Sequence, residues 1–141
     1  MRIARKLINY VFGEDPGGEK IRYLIVGGLT TLVNFSIFVL MHELCGIDET
    51  ISNLVSIPAS ILFAYIANKL VVFRQQSESI KYLALEFIKF VGSRLFTMAL
   101  EVGIVFLFSN VLEWNATLGK VIAMIVVIIL NYVISKVIVF R

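Results

Sequence analysis

Three polar residues that could do chemistry stand inside an apolar stretch of the chain. Arg94, Thr97 and Glu101 follow one another at i, i+3 and i+7, which places them on one face of a helix. A charge at the centre of a bilayer costs about 2.5–3.5 kcal/mol on insertion scales, so each charged group needs protein or water beside it. The two charges lie two helical turns apart, about 10 Å, and we therefore expect each to have a different partner. A guanidinium held at this depth indicates an anion site, because its planar fork matches phosphate oxygens.

Further cations occur where two apolar stretches end. Lys69 and Arg74 close one stretch, and Lys136 and Arg141 close another. Counted along antiparallel helices, these groups lie nearer one membrane surface than Arg94, where they could ring a cavity that holds an anion. The alternative for each of them is a long side chain that extends from a helix end to water. The residues alone leave both interpretations open.

Four apolar runs must position these side chains. The chain has 141 residues, of which 59% are hydrophobic, and its mean hydropathy is +0.91, well above a soluble domain. A bilayer core of about 30 Å requires about 20 apolar residues in a helix. The predicted spans are Tyr23–Cys45, Thr50–Phe73, Phe87–Leu112 and Ala116–Phe140. The sequence therefore predicts an all-α integral membrane protein with four transmembrane helices.

The distribution of Lys and Arg predicts the orientation of these spans. Basic residues concentrate before the first span, between the second and third, and after the fourth. The two short connections carry only the acids Asp48, Glu49 and Glu113. By the positive-inside rule both termini are cytoplasmic and both connections face outward. Lys120, near the outer end of the fourth span, is the one charge that does not fit.

The basic segment 1–20 precedes the four-helix domain, 21–141. Ile3, Leu7, Tyr10 and Val11 lie near one side of a helix if the segment is helical, and Arg5 and Lys6 are beside them. Either an interfacial helix on the inner leaflet or a loosely ordered basic tail accounts for this pattern.

The two hairpins resemble each other in sequence. Segments 64–74 and 131–141 have Tyr, Lys, Val, Phe and Arg at matching places. We interpret residues 21–74 and 86–141 as two tandem helical-hairpin repeats, and because both begin inside, the repeats are parallel. In the second span a row of small residues recurs every four positions and is typical of a packing surface between membrane helices: Ser52, Ser56, Ser60, Ala64 and Asn68. Gly27 and Gly92 supply small residues on the first and third spans.

Several function classes are disfavoured by composition. One Cys and one His cannot form a disulfide or a zinc site, and no catalytic motif or cofactor motif is visible, so we predict neither an enzyme nor a bound metal or cofactor. No basic stripe with interleaved exposed aromatics indicates nucleic-acid binding. A small proton-coupled multidrug exporter, with Glu101 as its membrane carboxylate, is the alternative transport class.

The chain resembles the GtrA-like family from about Lys20 to the C-terminus, and four segments carry the resemblance: Arg22–Phe35, Asn68–Arg74, Phe87–Leu95 and Asn131–Arg141. The resemblance implies a protein of the bacterial cytoplasmic membrane that moves a polyprenyl-phosphate-linked sugar, such as undecaprenyl-phosphate-glucose, to the outer leaflet. The sugar would then decorate a surface polysaccharide or teichoic acid. It also implies a membrane glycosyltransferase as partner, whereas a third alternative is a subunit that anchors such an enzyme and moves nothing.

Under this resemblance the polar residues acquire expected roles. Arg94, Lys69 and Lys136 would bind the phosphate. The sugar path would comprise Asn34, Asn68, Glu101, Asn131, Tyr65 and Tyr132, although the two tyrosines are equally compatible with core packing. Because four helices enclose little space, we also expect a homo-oligomer or a complex.

Overall fold

The computed structural model describes residues 1–76 and 79–140, except for the side chains of residues 116 and 117. This part of the chain is helical and contains no strand. Its α-helices are α1 (Arg2–Phe12), α2 (Pro16–Val39), α3 (Glu49–Ala67), α4 (Ile80–Phe106) and α5 (Ala116–Ile134). Each of the last four runs into a wide π-helical turn: π1 (Leu40–Leu44), π2 (Asn68–Val72), π3 (Leu107–Val111) and π4 (Ser135–Val139).

Four of these helices are long and apolar enough to cross a membrane. The spans are Pro16–Leu44, Glu49–Val72, Ile80–Val111 and Leu118–Val139, of 29, 24, 32 and 22 residues. The predicted fold class, an all-α protein with four membrane helices, is confirmed. α2 and α4 begin well before the predicted starts, Tyr23 and Phe87, because an apolar run marks the bilayer core and not the whole helix. Pro16 is suited to the first helical position, where a proline's missing N–H costs nothing.

The first of two compact units comprises Met1–Gln76. In it α2 packs along α3, and the predicted row of small residues on α3 is buried, from Ser52 to Asn68. Tyr23 and Val26 are the buried residues of α2 that are apolar. Gly27 was predicted to be a packing residue, but in this unit it is exposed and a Cβ there would meet nothing within 4 Å.

The second unit comprises Ser77–Arg141, in which α4 packs along α5. Phe90 of α4 and Ala123 of α5 are completely buried. The helices approach closely near the connection between them, where a Cβ on Gly119 would lie 2.7 Å from Cβ of Phe108. Gly92, predicted as a packing residue, is exposed with open space above its Cα.

Both hairpins are built to similar dimensions. α3 and α5 each contain 19 residues, and five-residue π turns precede and follow both. In each connection one residue adopts a left-handed conformation, Gly46 at φ 66° and Glu113 at φ 54°. These correspondences support the tandem-repeat interpretation, which stays a prediction. Gly46 suits this conformation better than Glu113, because only glycine adopts it without steric penalty.

Candidate functional site

Arg94 lies on α4 against an aromatic residue of the core. Its guanidinium carbon is 4.8 Å from the ring centroid of Phe90, and Phe90 is fully buried and tilted against Phe140, with the ring centroids 6.0 Å apart. A cation above a ring face is attracted by the ring quadrupole. The side chain of Arg94 is half-buried, so the charge is held at a fixed place and still accessible to a ligand.

One turn further along α4, a buried hydrogen bond joins the two helices of the second unit. The hydroxyl of Thr97 donates to Oδ1 of Asn131 at 2.8 Å, and the two residues are 1% and 8% exposed. The carbonyl oxygen of Arg94 is 3.1 Å from the same hydroxyl. Asn131 therefore lies close to the depth of Arg94, as the residue count predicted.

Nearer the connection between α4 and α5, Glu101 of α4 forms an ion pair with Lys120 of α5. The Glu101 side chain is 25% exposed and that of Lys120 is 56% exposed. The prediction that Glu101 has a partner other than Arg94 is confirmed. The ion pair also accounts for Lys120, the charge that did not fit the topology. The two residues could not be paired from the sequence, because the sequence does not specify how α5 is rotated about its axis.

The two lysines predicted for the phosphate differ in environment. Lys69 belongs to π2 in the first unit and is only 6% exposed. Lys136 belongs to π4 in the second unit and is exposed, with its Nζ 3.4 Å from the hydroxyl of Tyr132 and 5.7 Å from the ring centroid. The burial of Lys69 disfavours a side chain that simply extends to water, whereas Lys136 is compatible with that alternative.

The π turns of both units begin with a buried polar residue. Asn68 donates from Nδ2 to the carbonyl of Ala64 at 2.7 Å, and its Oδ1 is buried without a partner among the described residues. The Oγ of Ser135 is likewise buried without a hydrogen-bond partner in that part of the chain. Buried polar atoms are nearly always hydrogen-bonded in folded proteins, so these two atoms are exceptions. The sequence predicted Asn68 for the sugar path and placed Ser135 with it among the polar groups near the same membrane surface.

The other predicted residues are distributed over the two units. Tyr65 is 7% exposed in α3, one turn before Lys69, and Asn34 is half-buried in α2. Both belong to the first unit with Asn68 and Lys69, whereas Arg94, Glu101, Asn131, Tyr132 and Lys136 belong to the second. Arg74 donates to the carbonyl of Phe12, and Arg141 lies outside the described residues.

Arg22 has a structural role that the sequence did not reveal. It is 5% exposed, and its Nη1 donates to the carbonyls of Val11 and Gly13 at 2.5 and 3.0 Å. Its Nη2 donates to the carbonyl of Val72 at 3.2 Å. The sequence analysis counted Arg22 only among the basic residues that set the topology. The residue type alone does not indicate that the side chain turns into the protein.

An open cleft of about 400 Å³ lies in the second unit. The cleft is lined by Tyr82 and Lys89 of α4 and by Val137, Ile138 and Val139 of π4. An ammonium group beside an apolar wall suits an amphiphile with an anionic head. The sequence had assigned Lys89 only to topology.

The described residues contain no group of three His, Cys, Asp or Glu side chains that could hold a metal ion. Residues 22–140 match the family model of the GtrA/DPMS transmembrane domain. The chain belongs to this family. The resemblance found in the sequence is confirmed, and the GtrA/DPMS match identifies a multi-pass membrane protein. GtrA-type proteins are non-catalytic membrane proteins, which agrees with the prediction that the chain is not an enzyme.

Several GtrA-type relatives align along most of the chain. The cell wall teichoic acid glycosylation protein GtcA of Listeria monocytogenes serovar 1/2a is 38% identical over 119 residues, which are 84% of this chain and 82% of GtcA. A second GtcA from Listeria monocytogenes is 35% identical over 142 residues, covering 100% of this chain and 98% of its own length. The uncharacterized membrane protein YwcD of Bacillus subtilis is 33% identical over 84% of this chain and 94% of YwcD. No solved structure matches.

Proposed function

We propose that this protein translocates a polyprenyl-phosphate-linked sugar, such as undecaprenyl-phosphate-glucose, from the inner to the outer leaflet of the bacterial cytoplasmic membrane. Family membership and the GtcA relatives, named for cell wall teichoic acid glycosylation, support a role in glycosylation. A sugar used to glycosylate a wall polymer is consumed outside the membrane, so its lipid-linked donor must cross first. Both termini are cytoplasmic in this proposal, in accord with the basic residues at the inner ends of the spans.

The proposal depends most on the polar layer formed by Arg94, Thr97 and Asn131 inside an apolar pair of helices. A lipid carrier brings one phosphate charge and several sugar hydroxyls into the slab. The guanidinium of Arg94 offers the phosphate a charge-assisted, bidentate contact. In the same unit, the Oγ of Ser135 offers an acceptor for a sugar hydroxyl, while the prenyl tail stays in lipid.

The remaining cations suit successive stages of the same path. Lys89, in the open cleft beside Val137 and Ile138, combines a charge with an apolar wall and would receive the lipid phosphate first. Lys136 is exposed, and its long flexible side chain would follow a moving phosphate. The buried Lys69 would hold the phosphate at one place. Tyr65, Tyr132, Asn34 and Glu101 complete the proposed sugar path.

The exporter alternative is weakened by the ion pair of Glu101. A proton-coupled carboxylate must exchange its proton with water and substrate during each cycle. Glu101 instead forms an ion pair with Lys120. The experiment below also tests the anchoring alternative, because its vesicles contain no glycosyltransferase.

The proposal can be tested with purified protein in vesicles. A water-soluble short-chain isoprenyl-phosphate-glucose is offered outside, and its uptake into the lumen is measured. We expect Arg94→Ala to lower uptake about 10-fold or more, since a hydrogen bond to a charged group is worth about 1.5–3 kcal/mol. Arg94→Lys should retain part of the rate, and Lys81→Ala, at an exposed position of α4, should retain all of it.

Two results would contradict the proposal. Uptake by Arg94→Ala at the wild-type rate, with protein that elutes and fluoresces normally, would remove Arg94 from the site. No uptake by the wild-type protein alone, together with uptake of the same probe when a polyprenyl-phosphate glycosyltransferase is added, would favour a subunit of a larger machine.

A further inference from the structure

Helix α1 has a continuous apolar face that the described part of the chain leaves largely exposed. Its apolar residues fall on one side of the helix, Ile3, Leu7, Ile8, Tyr10 and Phe12, and Arg2, Arg5, Lys6 and Asn9 fall on the other. Ile3 is 77% exposed, Leu7 58% and Phe12 59%. None of the α1 residues, all of which the structure describes, is buried.

The protein attaches α1 through its last turn and not through this apolar face. Arg22 binds the carbonyls of Val11 and Gly13, and Arg74 binds the carbonyl of Phe12. The same Arg22 side chain binds the carbonyl of Val72, at the end of the α3 span. Two guanidinium groups thus secure the end of α1 at the level where the α2 and α3 spans meet the membrane surface.

The segment after α1 fixes its direction. Gly17 and Gly18 come so close to Tyr10 that a Cβ on either would overlap it, so α1 folds back tightly against the start of α2. Immediately beyond, Leu24 and Ile25 of α2 are 58% and 50% exposed, and as residues of a membrane span they face lipid. The tight turn at Gly17 and Gly18 thus joins α1 to a helix that itself exposes apolar side chains along a membrane span.

We propose that α1 is a membrane-surface helix, which inserts its apolar face into one leaflet and binds anionic lipid headgroups through Arg2, Arg5 and Lys6. Helices with one apolar and one basic face lie in the interface, with the apolar side about 5–10 Å into the headgroup boundary. Arg22 and Arg74 are the positioning residues that keep α1 at that depth. The leaflet is the cytoplasmic one if the proposed orientation holds, and the lipid contact itself does not depend on transport.

Charge favours lipid over a second copy of the chain as the occupant of this face. Two α1 helices packed through their apolar faces would point their basic faces away from each other, so Arg2, Arg5 and Lys6 would have no counter-charge in that interface. An anionic leaflet instead attracts each of them, at about 1 kcal/mol per Lys or Arg close to the surface.

The lone cysteine makes a direct test practical. In a Cys45→Ser background, a fluorescent label is attached to Leu7→Cys or, as the matched control on the polar side, to Asn9→Cys, and each protein is placed in vesicles with and without phosphatidylglycerol. We expect lipids with brominated chains to quench the label at position 7 at least about threefold more than at position 9. Phosphatidylglycerol should increase this difference, and high salt should reduce it.

Equal quenching at the two positions would overturn the proposal. So would a label at position 7 that is shielded from water-soluble quenchers but not quenched by brominated lipid, because a protein surface would then cover the face. Arg22→Gln should lower the difference between the positions. If that variant does not fold, Arg74→Gln, which removes one contact to Phe12, should lower it in part. Since the assay measures no transport, its outcome is independent of the proposed translocation.

Discussion

At the scale of single residues, the buried hydrogen bond between Thr97 and Asn131 makes a measurable contribution to stability. Thr97→Val keeps the shape of the side chain but leaves Oδ1 of Asn131 without its 2.8 Å donor. We expect the free energy of unfolding to fall by about 1–3 kcal/mol, the penalty for an unsatisfied buried polar group. The transition can be followed in detergent by the fluorescence of Trp114, the single tryptophan.

Two variants control this experiment. Thr97→Ser keeps the hydroxyl and should lose much less stability. Thr31→Val removes an exposed hydroxyl that bonds only within its own helix, to Gly27, and should change stability by less than about 0.5 kcal/mol. Equal losses for Thr97→Val and Thr31→Val would mean that the hydrogen bond between the helices contributes nothing.

The ion pair of Glu101 and Lys120 predicts a coupling between two substitutions. Each single change to Ala leaves one charge in the outer half of the hairpin without its partner, whereas the double change removes both. In a double-mutant cycle in detergent we expect a coupling energy of about 0.2–1 kcal/mol, because the Lys120 side chain is 56% exposed. Glu101→Lys combined with Lys120→Glu should recover stability that either reversal alone loses.

Strictly additive losses from the two single changes would contradict the pairing. A control pair is available in Glu101 and Lys89, which lie far apart on the same helix and should show no coupling.

The position of these polar residues could be predicted from the sequence, but their partners could not. Arg94 and Glu101 are unusual within an apolar stretch, because a charge inside a membrane is costly unless protein or water lies beside it. Which neighbour satisfies each charge depends on how α5 is rotated about its axis, and a run as uniformly apolar as α5 does not encode this rotation clearly. Lys120 was therefore missed as the partner of Glu101, as was the inward turn of Arg22.

At the scale of helices, the closest approach within the second unit depends on Gly119. A Cβ at this position would lie 2.7 Å from Cβ of Phe108 and 3.9 Å from Cα of Val105, and neither atom can move without the helix that carries it. We expect Gly119→Ala to lower the free energy of unfolding by about 1–3 kcal/mol through overpacking. Trp114, whose ring lies 5.4 Å from that of Phe108, should report the shift in its emission.

Gly27→Ala is the matched control, since a Cβ there meets nothing within 4 Å. It should be neutral or slightly stabilising, because alanine favours helix more than glycine does by about 1 kcal/mol. If Gly27→Ala were the more damaging of the two, α2 would have to contact protein at this position.

Helix boundaries and packing surfaces were predicted with unequal success. The row from Ser52 to Asn68 was predicted correctly because its spacing of four residues places it on one side of a helix. Gly27 and Gly92 were wrong as packing residues, because a single small residue does not specify which side of its helix faces a neighbour. The early starts of α2 and α4 were missed because polar residues continue a helix beyond the bilayer core without any apolar signal.

At the scale of the whole molecule, charge and surface describe how the protein sits in the membrane. Apolar side chains are exposed along all four spans, as expected for surfaces that face lipid. Lys and Arg are concentrated at one end of the hairpins, whereas the two short connections at the other end carry only acidic charges. The amphipathic α1 belongs to the basic end, where it would add an interfacial contact to the four spans. The identity of the sugar leaves no comparable trace, since sugars differ in hydroxyl geometry and not in charge.

The orientation of the whole molecule can be determined with its one cysteine. Cys45 is exposed at the connection between α2 and α3, beside the acids Asp48 and Glu49, so the positive-inside rule predicts that it faces outward. A membrane-impermeant maleimide should label it in intact cells from which the outer layers have been removed. In a Cys45→Ser background, Gln76→Cys at the opposite end of the first hairpin should be labelled only after the membrane is permeabilised. The reverse pattern would place the termini outside, and it would then put Lys89, Lys136 and α1 on the side where a lipid-linked sugar leaves the membrane, contrary to the proposed direction of transport.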